Sequence, residues 1–420
     1  VPKLPTSSDY PLILHGDCVE QMRLLADCSI DAIVTDPPYG LEFMGKEWDG
    51  YGTNAAFGQW CETWLAECLR VLKPGGHILA FGGTRTWHRL ACAAEDVGFE
   101  MRDSLAWLYG SGFPKSLNVG KAIDKQDAAG ERLRRSFKFT GWVSGHMSAV
   151  QASRLTDSDM GHHYTTHPTQ PCVATAEMFD KLRPALPAVP EWVEALVAER
   201  TVESENFKRR RKVGSRDLPL NPGFAGATHG GDSSTQLVHI TAPATAEAAK
   251  WDGFGTALKP AFEPIVMGRK PFPGTVAANV LTHGTGALNV DACRIGTEAA
   301  GRWPANVILD EFTAAIVDEQ SEGASRFMYT AKANQAERPT ADGTAHPTVK
   351  PISLMQWLIR LVTPPDGVVL EPFAGSGTTV EAAIKETVRC VAIERDATYL
   401  PLIRARIDRN NLSLFAGVDE

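Results

Sequence analysis

Both ends of the chain alternate short apolar strands with helical stretches, and this alternation constrains the fold more than any other feature of the sequence. Near the start, Pro11–Asp17 is an apolar run ending in Gly16-Asp17. A helical pattern from Val19 to Leu25 follows, then a buried strand, Asp31–Asp36, closed by Pro37-Pro38. No strand interior tolerates that pair. A helix from about Gln59 to Leu72 stops at Lys73-Pro74-Gly75-Gly76, and His77–Phe81 is the next strand. At the other end, a helix over Ser353–Thr363 stops before Pro364-Pro365-Asp366-Gly367. It is followed by a strand Val368–Pro372, a glycine-rich turn, a helix from Thr379 and a strand Arg389–Glu394. This spacing predicts an α/β fold with a mostly parallel, doubly wound sheet built from both chain ends.

Between Gly112 and about Lys259 the pattern lapses. The segment is polar, rich in proline and locally basic, with Arg132-Leu133-Arg134-Arg135 and Lys208-Arg209-Arg210-Arg211-Lys212. A helical stretch Met147–Leu155, a polar turn Thr156–Asp159, a short helix near Met160–Tyr164 and a helix Thr175–Leu186 have the layout of a helix-turn-helix module. Asp232–Lys250, rich in Ser, Thr and Ala, reads as a linker. The expected organisation is a first core half over residues 1–114 and an inserted region over 115–259. A sheet hairpin (Ser104–Tyr109 with Phe262–Arg269) returns the chain within 260–340, and the second core half is 341–420.

Composition narrows the function classes. The formal net charge of the 420 residues is −8, so a polyanion must meet a local basic patch. The eight cysteines include no C-x-x-C pair, which excludes zinc-ribbon and redox-motif spacing and reads as reduced thiols in a cytoplasmic protein. His162-His163 lacks a companion at ligand spacing, so no metal is expected. No apolar run approaches the roughly 18 residues of a membrane span, and no signal-peptide pattern opens the chain.

The tetrapeptide Asp36-Pro37-Pro38-Tyr39 closes a predicted parallel strand at its C-terminal end, where open α/β sheets bind ligands. Read blandly, it is an Asp opening a Pro-rich turn. Read chemically, Asp36 and the Pro37 carbonyl can accept the two N–H bonds of an exocyclic amine. Its lone pair is thereby drawn out of ring conjugation toward an electrophile, while Tyr39 offers a flat face to an unstacked base. The second motif is Glu371-Pro372-Phe373-Ala374-Gly375-Ser376-Gly377-Thr378-Thr379, a strand running through glycines into a helix. It follows the logic of a dinucleotide fingerprint without the third glycine, and it lacks the Gly-Lys of a P-loop. The next strand ends in Glu394, placed to accept a ribose hydroxyl pair.

Together these residues closely resemble the amino-group DNA methyltransferases that use S-adenosylmethionine. His346-Pro347-Thr348-Val349-Lys350-Pro351 is similar to a third motif of that family, Gly16-Asp17-Cys18 to a fourth, and Trp251–Asp310 to prophage-type modification methylases. The order, with Asp-Pro-Pro-Tyr first and the glycine motif last, resembles the permuted β-type arrangement in which a target-recognition region separates the halves. The resemblance implies a Rossmann-like fold and methyl transfer to N6 of adenine in double-stranded DNA by base flipping, with Asp36, Pro37, Pro38 and Tyr39 catalytic. It implies that Asp17 meets the cofactor adenine and Glu394 its ribose, that Glu371, Phe373, Gly375 and Lys350 line the methionine end and its approach, and that Cys18, Asp36, His346, Thr348, Ala374, Ser376, Gly377, Thr378 and Arg395 complete the cofactor site. DNA contacts are expected from Arg209, Arg210, Arg211 and Lys212, and from His162 and His163. His167-Pro168-Thr169-Gln170-Pro171 mimics the His-Pro-Thr motif without its lysine and reads as a turn. Members of this subgroup are often dimeric, so a second copy of the chain and a cognate restriction endonuclease are the candidate protein partners. Three rival readings remain at this point: N4-cytosine methylation, methylation of a protein glutamine or RNA base, and a DNA-binding regulator with an inactive core.

Overall fold

The structure, a computed structural model, describes residues 10–41, 49–110, 112, 116–208, 212–219, 235–241, 246–296, 301–331, 340–341, 344–345 and 349–415. The chain divides into two units, Val1–Phe113 with Pro260–Glu420, and Pro114–Lys259. In chain order, the first unit begins β1 (Leu12–His15), α1 (Cys18–Met22), β2 (Ile30–Thr35), α2 (Asn54–Val71), β3 (Leu72–Phe81), α3 (Trp87–Asp96) and β4 (Glu100–Leu108). The second unit holds α4 (Val119–Ser144), α5 (Ala149–Thr156), α6 (Gly161–Thr165), α7 (Ala176–Leu182), α8 (Glu191–Lys208), β5 (Lys212–Pro219), β6 (Thr235–Thr241) and α9 (Ala246–Lys250). The first unit resumes with β7 (Phe262–Arg269), α10 (Val276–His283), β8 (Val307–Asp310), α11 (Glu311–Ser321), β9 (Tyr329–Ala331), β10 (Thr340–Ala341) and β11 (Thr344–Ala345). It ends with α12 (Ile352–Val362), β12 (Val368–Glu371), α13 (Thr378–Lys385), β13 (Arg389–Glu394) and α14 (Leu400–Phe415).

The first unit is an α/β domain around a nine-stranded sheet of order β1-β13-β12-β2-β3-β7-β4-β8-β9. The five strands from β1 to β3 are mutually parallel. β7 runs antiparallel to both β3 and β4, while β8 and β9 continue parallel to β4. Strand alternation places Ile33, Ile78 and Leu370 on one face with Met22, Trp64, Cys68 and Leu90 of α1, α2 and α3. Ala32, Leu79 and Val369 point to the other face, against Leu354, Leu358 and Val380 of α12 and α13. Both faces are covered, which is why these strands read as continuous apolar runs rather than as alternating ones. From β12 the chain leads outward to β13, and from β2 outward on the opposite side to β3. The neighbours β12 and β2 therefore flank the topological switch point, where such sheets bind ligands.

Three readings of local structure are corrected. α2 starts at Asn54, capped by Thr53, whose Oγ1 accepts the Ala56 N–H at 3.1 Å; Gly58 interrupts the apolar pattern of its first turns. β3 starts at Leu72, and the register with β2 jumps from Ile30↔Leu72 to Ala32↔His77. The Pro-Gly-Gly run is thus an irregularity inside the strand rather than a break before it. Asp232–Lys250 is not a linker over its described residues. Thr235–Thr241 pairs antiparallel with Lys212–Pro219, and Ala246–Lys250 is helical. The alternation of Leu237, Val238 and Ile240 with polar residues is strand chemistry that a count of Ser, Thr and Ala conceals.

The second unit packs α4, α5, α7 and α8 around Phe139, Val143, Ala152, Phe179, Leu182, Val193 and Val197. Three helices lie where the helix-turn-helix layout placed them, but α6 is a single turn with Gly161, Tyr164 and Thr165 buried. A helix of that length presents little to a DNA groove. His167–Pro171 forms a local turn: the N–H groups of Thr169 and Gln170 donate to His167 Nδ1 at 3.3 and 2.9 Å.

Candidate active site

The ends of β2 and β12 bring the two strongest sequence motifs together. The strands pair through Val369↔Ala32 and Leu370↔Ile33, so Asp36 and the glycine turn emerge side by side. Glu371 joins them below the surface. Its Oε1 accepts from Thr35 Oγ1 at 2.5 Å and from the Phe373 N–H at 3.0 Å, and its Oε2 accepts from Thr379 Oγ1 at 2.5 Å. Burial pushes this carboxyl up to about 8, against the pull of those three bonds. Glu371 is 1% exposed and acts as an internal brace between the motifs rather than as part of an open wall.

Above it sits a charged cluster. Lys350 Nζ lies 2.7 Å from Asp36 Oδ2 and 3.1 Å from Glu263 Oε2, and it donates to the Tyr39 hydroxyl at 3.1 Å. The Tyr39 hydroxyl is 2.8 Å from Asp36 Oδ1 and 2.9 Å from Glu263 Oε2. Burial opposes the Lys350 charge, but Asp36 and Glu263 outweigh it and hold the ammonium above its ordinary range. Burial first, then the same two carboxylates, raise the Tyr39 phenol. The Asp36 side chain keeps 25% of its surface exposed, whereas Lys350 keeps 9%. Asp36 is the most exposed charged member of the cluster, with Glu263 at 19%.

The turn after the tetrapeptide is clamped at several points. Thr86 Oγ1 donates to the Tyr39 carbonyl at 2.6 Å, and the buried Asp49 carboxylate accepts the N–H groups of Gly40 and Leu41 at 2.6 and 3.0 Å. Pro37 is buried and Pro38 half-buried. Gly40 and Leu41, with Tyr51, Thr53, Asn54 and Arg85, line an adjoining cleft of about 270 Å³.

On the other side of the switch point, Glu394 Oε2 accepts the Gly375 N–H at 2.7 Å and its Oε1 accepts the Asp396 N–H at 2.7 Å. Burial holds the carboxyl above its usual range, against these two bonds and one from the Arg395 backbone. Gly375 and Gly377 have φ of +51° and +81°, the left-handed region that favours glycine. A Cβ at Gly377 would also sit 3.2 Å from Ile403. Ala374 bonds back to the Ile393 carbonyl, and Ser376 and Thr378 are buried. The Ser376 carbonyl accepts Arg406 Nε at 2.8 Å, so the turn is pinned from behind. Phe373 joins Trp60 and Trp64 in an aromatic wall, with centroids 5.7 and 5.2 Å apart. The end of β1 closes the group, its Gly16 N–H donating to the Glu394 carbonyl at 3.0 Å. Asp17 Oδ1 caps α1 through the Val19 N–H at 2.9 Å, and the Cys18 thiol is pushed up to about 12 by burial. The Arg395 carbonyl contacts His15 Nε2 at 3.2 Å.

Other expected residues belong to the second unit or lie outside the described residues. In the second unit, His162 and His163 are tied to their own loop through Thr166 Oγ1 and the Gln170 carbonyl, at 2.8 and 2.9 Å. Lys212 opens β5, opposite Thr241. His346, Thr348, Arg209, Arg210 and Arg211 lie outside the described residues. Sequence reasoning passed over Glu263, Asp49 and Arg406. The signal for Glu263 was a single acid in the apolar strand Phe262–Arg269, and for Arg406 a basic residue at helical spacing from Leu402 and Ile403.

The family profile described as DNA methylase, that of the N6/N4 methyltransferases, matches residues 30–177 and 243–405. The chain belongs to this family. As a DNA methylase of this kind it acts on DNA, and S-adenosylmethionine is its methyl donor. Among curated relatives, the HinfI type II methyltransferase of Haemophilus influenzae is 31% identical over 109 residues, 23% of this chain and 30% of that protein. The HindIII type II methyltransferase of the same species is 23% identical across 95% of this chain and 96% of its own length. The methylase thus spans under a third of the first relative and nearly all of the second. Among solved structures, the cytosine-N4-specific PvuII methyltransferase aligns over 94% of this chain and 85% of its own, with 13% identity and a TM-score of 0.42. A DNA modification methylase of Thermus thermophilus aligns over 95% of both chains at 14% identity, with a TM-score of 0.40. No helix among the described residues is long and apolar enough to cross a membrane.

Proposed function

We propose that this DNA methylase methylates the N6 amino group of adenine in double-stranded DNA, with the target base turned out of the duplex, and that its motif order is the permuted β-type. The observation that carries the reading is the placement of Asp36, part-exposed and anchored by Lys350 and Tyr39, beside the glycine turn at the sheet switch point. Asp-Pro-Pro-Tyr at this position favours adenine by the resemblance to adenine methylases.

The donor set fits S-adenosylmethionine. Glu394, a carboxylate at the end of β13, is a residue type suited to accept from the ribose hydroxyls. The turn from Ala374 to Gly377 admits close backbone approach, and Phe373 with Trp60 and Trp64 provides an apolar wall. Asp17 is assigned to the cofactor adenine, with Cys18 and Arg395 beside Asp17 and Glu394 in sequence. When bound, S-adenosylmethionine supplies an electrophilic methyl group on a sulfonium. Asp36 and the Pro37 carbonyl would accept the two amine hydrogens, which points the nitrogen lone pair away from the ring, and Asp36 would take up the proton released as the N–C bond forms and the S–C bond of the donor breaks. Catalysis then rests on alignment and fixed acceptors, with no covalent enzyme intermediate.

Glu394→Ala is expected to weaken S-adenosylmethionine binding by roughly 1.5–3 kcal/mol through the loss of charge-assisted bonds. Titration calorimetry checks this, and an unchanged affinity would remove Glu394 from the cofactor site. The unit Pro114–Lys259 is assigned to DNA handling, on its basic runs in a chain of net charge −8. Neutralising Arg209, Arg210 and Arg211 should weaken DNA binding and lower the log–log salt slope by about one unit for each phosphate no longer neutralised. Cofactor affinity should stay the same, and an unaltered salt slope would move the DNA contacts elsewhere. The reaction class is tested by offering a labelled methyl donor with duplex DNA, RNA or protein as acceptor. Label in duplex DNA alone is expected, and incorporation into RNA or protein instead would overturn the reading.

A further inference from the structure

Glu263 belongs to none of the motifs, yet it shares every donor that Asp36 has in the cluster. β7 carries it in register with Trp107, and its side chain is 19% exposed. Its Oε2 lies 2.9 Å from the Tyr39 hydroxyl and 3.1 Å from Lys350 Nζ. It also accepts a bond from Tyr109. Lys350, lodged over the Phe81 ring at 4.8 Å, has three N–H donors and directs them to Asp36, Glu263 and the Tyr39 oxygen. Tyr39 has one proton for two carboxylates, each within bonding distance. While that O–H points at Asp36 Oδ1 it takes one of the oxygen's two lone pairs and competes with a second donor; when it swings to Glu263, both are open.

We propose that Glu263 is a positioning residue for methyl transfer: it draws the Tyr39 proton and a share of the Lys350 charge away from Asp36, freeing Asp36 Oδ1 to accept the amine hydrogen. The inference rests on the reading of Asp36 as the amine acceptor. It also gives β7, an antiparallel strand in a mostly parallel sheet, a role at the reacting centre. The swing moves one proton between two acceptors of the same hydroxyl and leaves the cluster charge unchanged.

Glu263→Gln preserves volume and removes the charge, which leaves a weaker neutral acceptor and shifts the Tyr39 proton and Lys350 toward Asp36. The expected result is a fall in kcat on the order of tenfold, the scale of a misplaced reacting group. The dissociation constant for S-adenosylmethionine and the KM for duplex DNA should stay within about twofold, since neither binding surface includes Glu263. The decisive readout is a double-mutant cycle with Tyr39→Phe, which removes the contested proton and keeps the ring. In that background Glu263→Gln should cost less than about threefold, because the two act through one shared hydrogen bond. The same fold loss in both backgrounds would overturn the proposal. So would wild-type turnover in Glu263→Gln, or a loss of its cofactor binding, which would mark a purely structural role. Asp36→Ala run in parallel separates the two claims: normal turnover there removes the reading of Asp36, whereas an inactive Asp36→Ala with additive Glu263 and Tyr39 effects removes this inference alone.

Discussion

Asp36→Ala is expected to slow single-turnover methyl transfer by about 10³-fold, comparable to removing a fixed polar group that acts in a transition state. Affinity for S-adenosylmethionine should change by less than about threefold, because the cofactor is assigned mainly to the glycine turn and Glu394 at the ends of β12 and β13. Two effects combine in the loss. The Pro37 carbonyl is left as the sole fixed acceptor for two amine hydrogens, and Lys350 keeps only Glu263 as a carboxylate partner. Asp36→Ser should be less damaging than the alanine change, since a hydroxyl retains an acceptor. Turnover within tenfold of wild type in Asp36→Ala would contradict the proposed role.

The second large effect concerns stability. Arg406 is fully buried, pairs with Glu381, itself 1% exposed, and donates to the Ser376 carbonyl at 2.8 Å. Burial alone would raise the Glu381 carboxyl, yet the pairing with Arg406 and Arg409 holds it below its usual range. Arg406→Met should therefore cost about 3 kcal/mol, the lower end of the range for a buried charge deprived of its partner. Arg409 and Lys385 still reach Glu381 at 2.6 and 3.4 Å, which limits the damage. Chemical denaturation measures the loss, and Arg406→Met with Glu381→Gln should recover part of it because no lone buried charge remains. Cofactor affinity should fall with Arg406→Met, as the glycine turn loses its anchor from α14. A stability change under about 1 kcal/mol would show that the pair contributes little.

The parts of the fold legible in the sequence were those whose apolar runs are buried on both faces. β2, β12 and β13 were read within a residue or two, because each is a short hydrophobic run bounded by a turn or Pro signal. The antiparallel return of Phe262–Arg269 against the strand ending at Leu108 was also legible. Strands β8 and β9 were not, since each has only three or four residues and half-buried positions that resemble loop. The site divides along similar lines. Asp36, Gly375 and Glu394 carry signals because they sit at fixed offsets from strand ends. Glu263 carries almost none, because its partner Tyr39 lies 224 residues away and pairing at that distance leaves no local pattern. Asp49 and Arg406 are similar cases, one a carboxylate closing a turn and the other a buried cation whose partners sit on a different helix and turn. Lys350 shows the same effect: its ammonium pairs with Glu263 and with Asp36, the latter 314 residues away, and such pairings leave no local pattern.

The central claim is that Asp36 and its cluster direct a methyl group onto an exocyclic adenine nitrogen. The most direct measurement is to methylate duplex DNA with the purified chain and a labelled donor, digest it to nucleosides and identify the labelled species. The account predicts N6-methyldeoxyadenosine, with the label lost in Asp36→Ala. Label recovered as N4-methyldeoxycytidine, or an unchanged adenine signal in Asp36→Ala, would contradict it.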